Sequence, residues 1–381
     1  MKQTKGLRPI DWEALQDLEM MRDAVPLDDG RTMLLGQYEG ALGKMLELAQ
    51  LIVYGKKPAF KIHVHRRLST VIEVSDLGFL IRGIHLWCPI LYASDIELPP
   101  IVQLCLDVYR AHELREFSPI SPSHRLPDGR FVADVCDDYI ADVRVEAIKT
   151  GIKRQQVDWV RNAENNEHTV GKYVNRLREV QGDLAMCGID LMCECVNLSE
   201  EGALTRAAQL EVRASENQAM FFNGMDEHVP ASDGQVGIEQ VLSDRERLFS
   251  NLKGKSTIVK HMVGYVCSVS WSRVGGFYLY AAFIFDGKQV DQEDCLALSE
   301  AVGRYWAESV TCGRGQYKRR GLLGGDGYAA EWIGRDEDEK LDRWQRSFQR
   351  RALQDKYSRP RLPDEIKPKL LTMGRMPKLQ A

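Results

Sequence analysis

The sequence predicts an α+β fold, an antiparallel sheet with packed helices, preceded by an α-rich N-terminal region. Three observations predict it. Two strand-like runs, 261–271 and 277–287, are separated by a short turn containing Gly275 and Gly276, and strands joined so closely run antiparallel. The mostly apolar run 184–197 reads as a third, buried strand with the charged Asp190 in its middle. Helical spacing fills the segments before, between and after these runs, the layout of helices packed on an antiparallel sheet.

Taken in order, residues 34–54 read as an amphipathic helix, because Leu42, Met45, Leu46 and Ala49 recur at steps of three and four. The segment "GKKP" at 55–58 stops it. Strand-like and mixed apolar segments follow at 60–65 and 78–93, and Pro99 and Pro100 open another helical run. The stretch 117–130, with three prolines, marks a domain boundary. A helix follows with Val135, Tyr139, Ile140 and Val143 on one face. Thr169 is placed to cap the next one, over 169–181. Beyond the apolar strand lie a polar loop around "MDEHVPASDGQ" and a clear helix over 236–252, with Gly254 after its end. Asp291 caps a last helix bearing Leu298, Val302, Tyr305 and Trp306. The predicted organisation is an α-rich region at 1–130, an α+β domain at 131–342 and a basic segment at 343–381.

The 381 residues carry a net charge of −4, unevenly spread. From Arg343 onward eleven Lys/Arg face three Asp/Glu, about +8, so the remainder carries about −12. A basic end on an acidic chain points to polyanions. The N-terminus has no apolar core of signal-peptide length, and no run of 18 apolar residues predicts a membrane span. The nine cysteines show no C-x-x-C pair, and their odd number fits reduced thiols in a cytoplasm.

The ordered segments "KYVNRLREVQGDLAMCGIDLMCECV", "RERLFSNLKGKSTIVKHMVGYVCSVSWSRVGGFYLYAAFIFDG" and "AVGRYWAESVTCGRGQY" resemble the replication-protein family of filamentous phages (inoviruses) and cryptic prophages, of the HUH endonuclease superfamily. The resemblance covers roughly residues 135–378 and is best over 172–310. It implies an HUH-type antiparallel sheet. It also implies a strand after the Gly-rich turn bearing His–hydrophobic–His, which with a third polar ligand holds a metal that polarises a scissile phosphate. A tyrosine on a later helix then attacks, leaving a 5′-phosphotyrosine link. Here the histidine positions are Tyr278 and Tyr280, and the preceding strand has no acid near Ser270. A neutral phenol is a poor ligand for a divalent cation at pH 7. The nucleophile slot falls near Arg350, beside Phe348; "QDKY" at 354–357 matches the segment after it, which makes Tyr357 the only candidate close by. The terminal "LLTMGRMPK" resembles the family's closing basic segment.

Several residues carry the functional expectations. Tyr278 and Tyr280 are read as an aromatic sheet face, or as a surface on which nucleobases stack. Asp190 is read as a buried carboxylate paired with a Lys or Arg, or as a remnant of a site. Arg314, Lys318, Arg319 and Arg320, then Arg343, Arg346, Arg350, Arg351 and Lys356, are the candidate phosphate contacts. Within them Arg343, Arg346 and Arg350 form a cationic stripe if that stretch is helical. His63 and His65 in "KIHVH" share one strand face and form an alternative metal pair, although Lys61 on the same face would repel a cation. No cofactor is expected, with Mg²⁺ or Mn²⁺ required only by an active enzyme.

The expectation is a cytoplasmic nucleic-acid-binding protein of a prophage or mobile element, derived from a rolling-circle initiator and without nicking activity. DNA is the expected partner and RNA an alternative, with a protein partner for the N-terminal region a further one. The rival readings are an active tyrosine endonuclease, and a protein-interaction factor in phage defence or counter-defence.

Overall fold

The computed structural model describes residues 10–27, 31–34, 40–65, 68–92, 96–117, 119–193, 199–223, 236–272, 276–320, 329–360 and 369–377. The first half of the chain runs α1 (Trp12–Asp23), paired strands β1 (Ala24–Pro26) and β2 (Thr32–Leu34), α2 (Ala41–Tyr54), paired strands β3 (Phe60–His65) and β4 (Leu68–Glu73), α3 (Asp76–Ile81), α4 (Ile84–Tyr92), β5 (Ile96–Glu97), α5 (Pro100–Ala111), α6 (Val132–Lys149) and α7 (Ile152–Gln181). The second half runs β6 (Leu184–Cys193), α8 (Glu200–Phe222), α9 (Ile238–Leu252), α10 (Ser256–Val259), β7 (Met262–Ser272), β8 (Gly276–Asp286), α11 (Gln292–Tyr305), β9 (Gly315–Arg319), β10 (Ala330–Ile333), α12 (Asp338–Leu353), β11 (Arg359–Pro360) and β12 (Leu371–Met373). Helices and an antiparallel sheet occupy separate layers, as an α+β chain requires.

Two of the sequence expectations are corrected. The segment expected at 78–93 is not strand-like over its described residues, 78–92: these lie in α3 and α4, with Pro89 inside the second. Ile84, Cys88 and Leu91 all turn inward there at helical spacing. Thr169 does not cap a helix either. It lies within the thirty-residue α7, where its hydroxyl donates to the Asn165 carbonyl at 2.6 Å, a bond Thr makes readily inside a helix. The caps at Asp291 and Gly55 are where the sequence places them, and the Asp291 carboxylate accepts from the Asp294 N–H at 2.8 Å. The polar loop expected at 224–235 lies outside the described residues.

The principal sheet has the order β10–β6–β8–β7–β12, with β9 also pairing on β6 beyond β10. All these pairs are antiparallel. From β6 to β9 the chain follows a strand–helix–strand–strand–helix–strand path, the split βαβ arrangement. Period-two alternation sends Cys187, Ile189, Leu279, Ala281 and Phe283 to one face, where α9 and α11 cover them. Leu184, Met186, Ala282 and Ile284 go to the other, where Val170, Tyr173 and Val174 of α7 meet Trp344 and Phe348 of α12. The sheet is thus buried on both faces, which explains why β6 reads as a continuous apolar run. Close approach of α7 is possible because β7 has no side chain at Gly264, against which the Tyr173 hydroxyl rests.

A separate apolar core is built from α2 to α6, with Leu15 and Leu18 of α1, Phe221 of α8 and Tyr357 added from distant parts of the chain. So α6 belongs with the helices that precede it, while α12, the start of the basic segment, closes the sheet. The described cysteines are free thiols. Among the described residues no helix is long and apolar enough to cross a membrane.

Candidate nucleic-acid interface

The strands bring a polar group together on the face of the sheet that α12 and α7 cover. Asp190 on β6 stands opposite Tyr280 on β8, and Tyr280 stands opposite Ser268 on β7. Two residues along, Tyr278 stands opposite Ser270. These five side chains lie on one face because each pair is in register. Arg320, just past β9, forms an ion pair with Asp190, so the paired-carboxylate reading of Asp190 holds. The pairing is also fixed by the backbone, since the Arg320 N–H donates to the Gly188 carbonyl at 3.0 Å. A methyl group on Gly188 would stand 2.5 Å from the Arg320 carbonyl oxygen and 3.0 Å from the Tyr280 hydroxyl, so only glycine admits both neighbours.

From above, Arg351 of α12 lays its guanidinium on the Tyr280 ring, 3.5 Å from the centroid. Tyr278 and Tyr280 are 5% and 0% exposed. They are therefore not an open stacking surface, and base stacking on them is excluded in this conformation. Burial pushes the Tyr280 phenol up to about 12, and it raises Tyr278 as well. Both remain neutral. The nearby charge of Asp190 holds the Arg320 guanidinium above its usual range. Oδ1 of Asp190, the Tyr280 hydroxyl, the Ser268 hydroxyl, and Nε and Nη2 of Arg351 are buried without hydrogen-bond partners among the described residues.

The metal that the resemblance implies does not fit this group. Two neutral phenols replace imidazoles, and Asp190, the carboxylate opposite Tyr280, already holds a guanidinium. A second cation at Asp190 would meet Arg320 at contact distance. The alternative pair is elsewhere: His63 is an exposed residue of β3, which with β4 forms its own two-stranded sheet. Among the described residues no group of three or more His, Cys, Asp or Glu could hold a metal ion.

The candidate cations divide by position. Arg320 and Arg351 meet at the tyrosine face through Asp190 and the Tyr280 ring, and Arg350, next to Arg351 on α12, is held by Glu13 and, at 3.5 Å, by Asp17 of α1. The stripe on α12 exists as a helical face, but Arg343 is held at 2.7 Å by Glu331 while Arg346 is exposed. Lys318 and Arg319 lie on β9, Lys318 directly opposite Asp190 and Arg319 exposed. Arg314 is not part of this group, because it faces the buried Asp244 of α9, 3.7 Å away, on the other side of the sheet. Lys356 lies over the Tyr357 ring, 5.5 Å from its centroid.

Tyr357, the nucleophile candidate, is fully buried in the first core. Its hydroxyl accepts from the Asp11 N–H at 2.8 Å and donates to the Asp11 carbonyl at 3.2 Å. Burial pushes this phenol up to about 12. Beside it, burial pushes the half-buried Asp355 carboxyl up to about 6, against the opposing charge of Arg359. An acid raised in the folded state costs stability while ionised, and the cost disappears as pH falls from about 6 to the ordinary 3.8. Asp355→Asn is therefore expected to raise the urea midpoint at pH 7.5 relative to the parent, with the two proteins converging near pH 4.

The helix α1 and the residues Asp17, Met21 and Gln354 were not singled out from sequence. A signal existed: Ala14, Leu15, Leu18 and Met21 have helical spacing, with Glu13 and Asp17 four apart beside them. Comparison with family models, curated proteins and solved structures gave no match to the chain.

Proposed function

We propose that this protein binds single-stranded nucleic acid, DNA in the first place, through an arginine-bearing surface on a sheet of HUH type, and that it does not cleave what it binds. One observation carries the reading. At the place where the resemblance implies a metal between strand histidines, the chain has Tyr278 and Tyr280 with an arginine already seated on Asp190. An internal cation there removes the electrophile of a nuclease but leaves an electropositive region suited to phosphates. Arg346 of α12 is its exposed member, and Arg319, opposite Ile189 on the other face of the edge strand β9, is an exposed cation beyond it; such side chains neutralise phosphodiesters without reading sequence. This is the reading expected of a replication initiator carried by a prophage or mobile element that has lost its chemistry.

The test is fluorescence anisotropy with a labelled thirty-nucleotide DNA strand over a salt series. Affinity is expected to fall steeply with log salt, and each lost phosphate contact lowers that slope by about 0.7 for a single strand. Arg319→Ala with Arg346→Ala should then flatten the slope by about 1.4. Affinity independent of salt, or untouched by the double substitution, overturns the proposal. Incubation of the same strand with Mn²⁺ or Mg²⁺ should yield no covalent adduct; an adduct that Tyr357→Phe abolishes would restore the active-enzyme reading.

A further inference from the structure

The tyrosine face where Arg320 and Arg351 meet is covered at one end by α1, through Met21 on Tyr278, and the same helix holds Arg350. The cover is chemically mismatched to what lies under it. Glu13 and Asp17, one helical turn apart, both bind Arg350 from above. Further along, the thioether of Met21 is the group that meets the deeper donors: it lies 3.9 Å from Nη1 of Arg351 and 3.2 Å from Nε2 of the neutral Gln354 amide. A thioether is a weak acceptor. Arg351 is only 5% exposed, yet among the described residues its Nε and Nη2 have no hydrogen-bond partner, and neither do the Tyr280 hydroxyl and Oδ1 of Asp190. Buried guanidinium N–H groups are ordinarily satisfied. Unmet donors beneath an acidic helix are what remains when a stronger anion belongs there.

We propose that α1 is a displaceable acidic cover, in which Glu13 and Asp17 stand in for phosphates, and that the phosphodiester backbone of single-stranded nucleic acid competes with them for Arg350 and reaches Arg351. The inference rests on the nucleic-acid reading above and adds its regulation. Leu15 and Leu18, buried at 1% and 7% exposure in the first core, hold the cover down. The open form is therefore a minor population, and apparent affinity is reduced by the fraction that is open.

The full-length chain carrying Glu13→Gln and Asp17→Asn tests this against a control carrying Glu239→Gln and Glu293→Gln, which changes net charge equally at the starts of α9 and α11, away from the group. Binding of oligo(dT) and oligo(rU) thirty-mers is measured for both, with hydrogen exchange over residues 12–23. The clamp variant is expected to bind about three- to tenfold more tightly than the control, as loss of two weak ion pairs allows. Oligonucleotide added to the parent chain should strip amide protection from α1. Equal binding by the two variants, or protection of α1 that persists at saturation, overturns the cover while leaving the nucleic-acid reading intact. No salt-dependent binding by the parent or either variant overturns both. Tightening for only one of the two thirty-mers identifies the sugar the open face accepts.

Discussion

Trp344→Ala is expected to destabilise the sheet core by about 3–5 kcal/mol, the range for truncating a fully buried tryptophan. Trp344 is 0% exposed and packs on α7 and β8 beside Phe348, ring centroids 5.7 Å apart. Its indole N–H also donates to Glu331 at 3.0 Å, and Glu331 is itself buried on β10. Truncation removes the packing and leaves that carboxylate to Arg343 alone. Trp344→Phe separates the two effects: it keeps most of the volume and should cost about 1–3 kcal/mol, the loss from an unmet buried acceptor. Urea unfolding followed by far-UV circular dichroism measures both. A Trp344→Ala chain within 1 kcal/mol of the parent would show that α12 does not close the sheet.

The second large effect concerns Arg320. Replacing it with methionine leaves Asp190 buried without its partner, and breaking a buried ion pair from one side costs about 3–5 kcal/mol. Removing both charges is different, since a neutral pair of similar volume can be as stable as the original. Arg320→Met with Asp190→Asn is therefore expected to recover most of the loss. The same unfolding experiment on the two single variants and the double variant gives the coupling directly. Additive losses would mean that the ion pair is not what ties β9 to β6 at this point.

The sheet was legible in the sequence where local pattern and burial agree. The apolar run of β6, the short β7–β8 connection and the apolar stripe of α9 each carry their signal within about fifteen residues. The helix α7 was only half legible. Its first turns, "IKRQQVDWVRNAENNEH", place few apolar residues on the buried side, so polar texture hid the helix before Thr169. Strand β9 shows in the sequence only as candidate phosphate contacts, Lys318 and Arg319 among them, because a five-residue edge segment holds too little alternation to declare itself.

The candidate site was legible as an inventory and not as an arrangement. That Asp190 would be paired followed from the cost of burying a lone charge. That the partner is Arg320, 130 residues later, follows only from how β9 registers on β6. The sequence also offered Tyr278 and Tyr280 as a surface, whereas α12 and α1 turn them into an interior. Nothing local to the tyrosines encodes what covers them.

The edge strand β12 closes β7 through Leu371, Thr372 and Met373, yet about a hundred residues separate the two in the chain. At translation rates of about 5–20 residues per second, a nascent molecule carries a finished β7 with one bare flank for roughly 5–20 s. A bare flank of this kind templates pairing with another chain. Crowded polysomes, rather than the mature molecule, are thus where this protein is most exposed to aggregation.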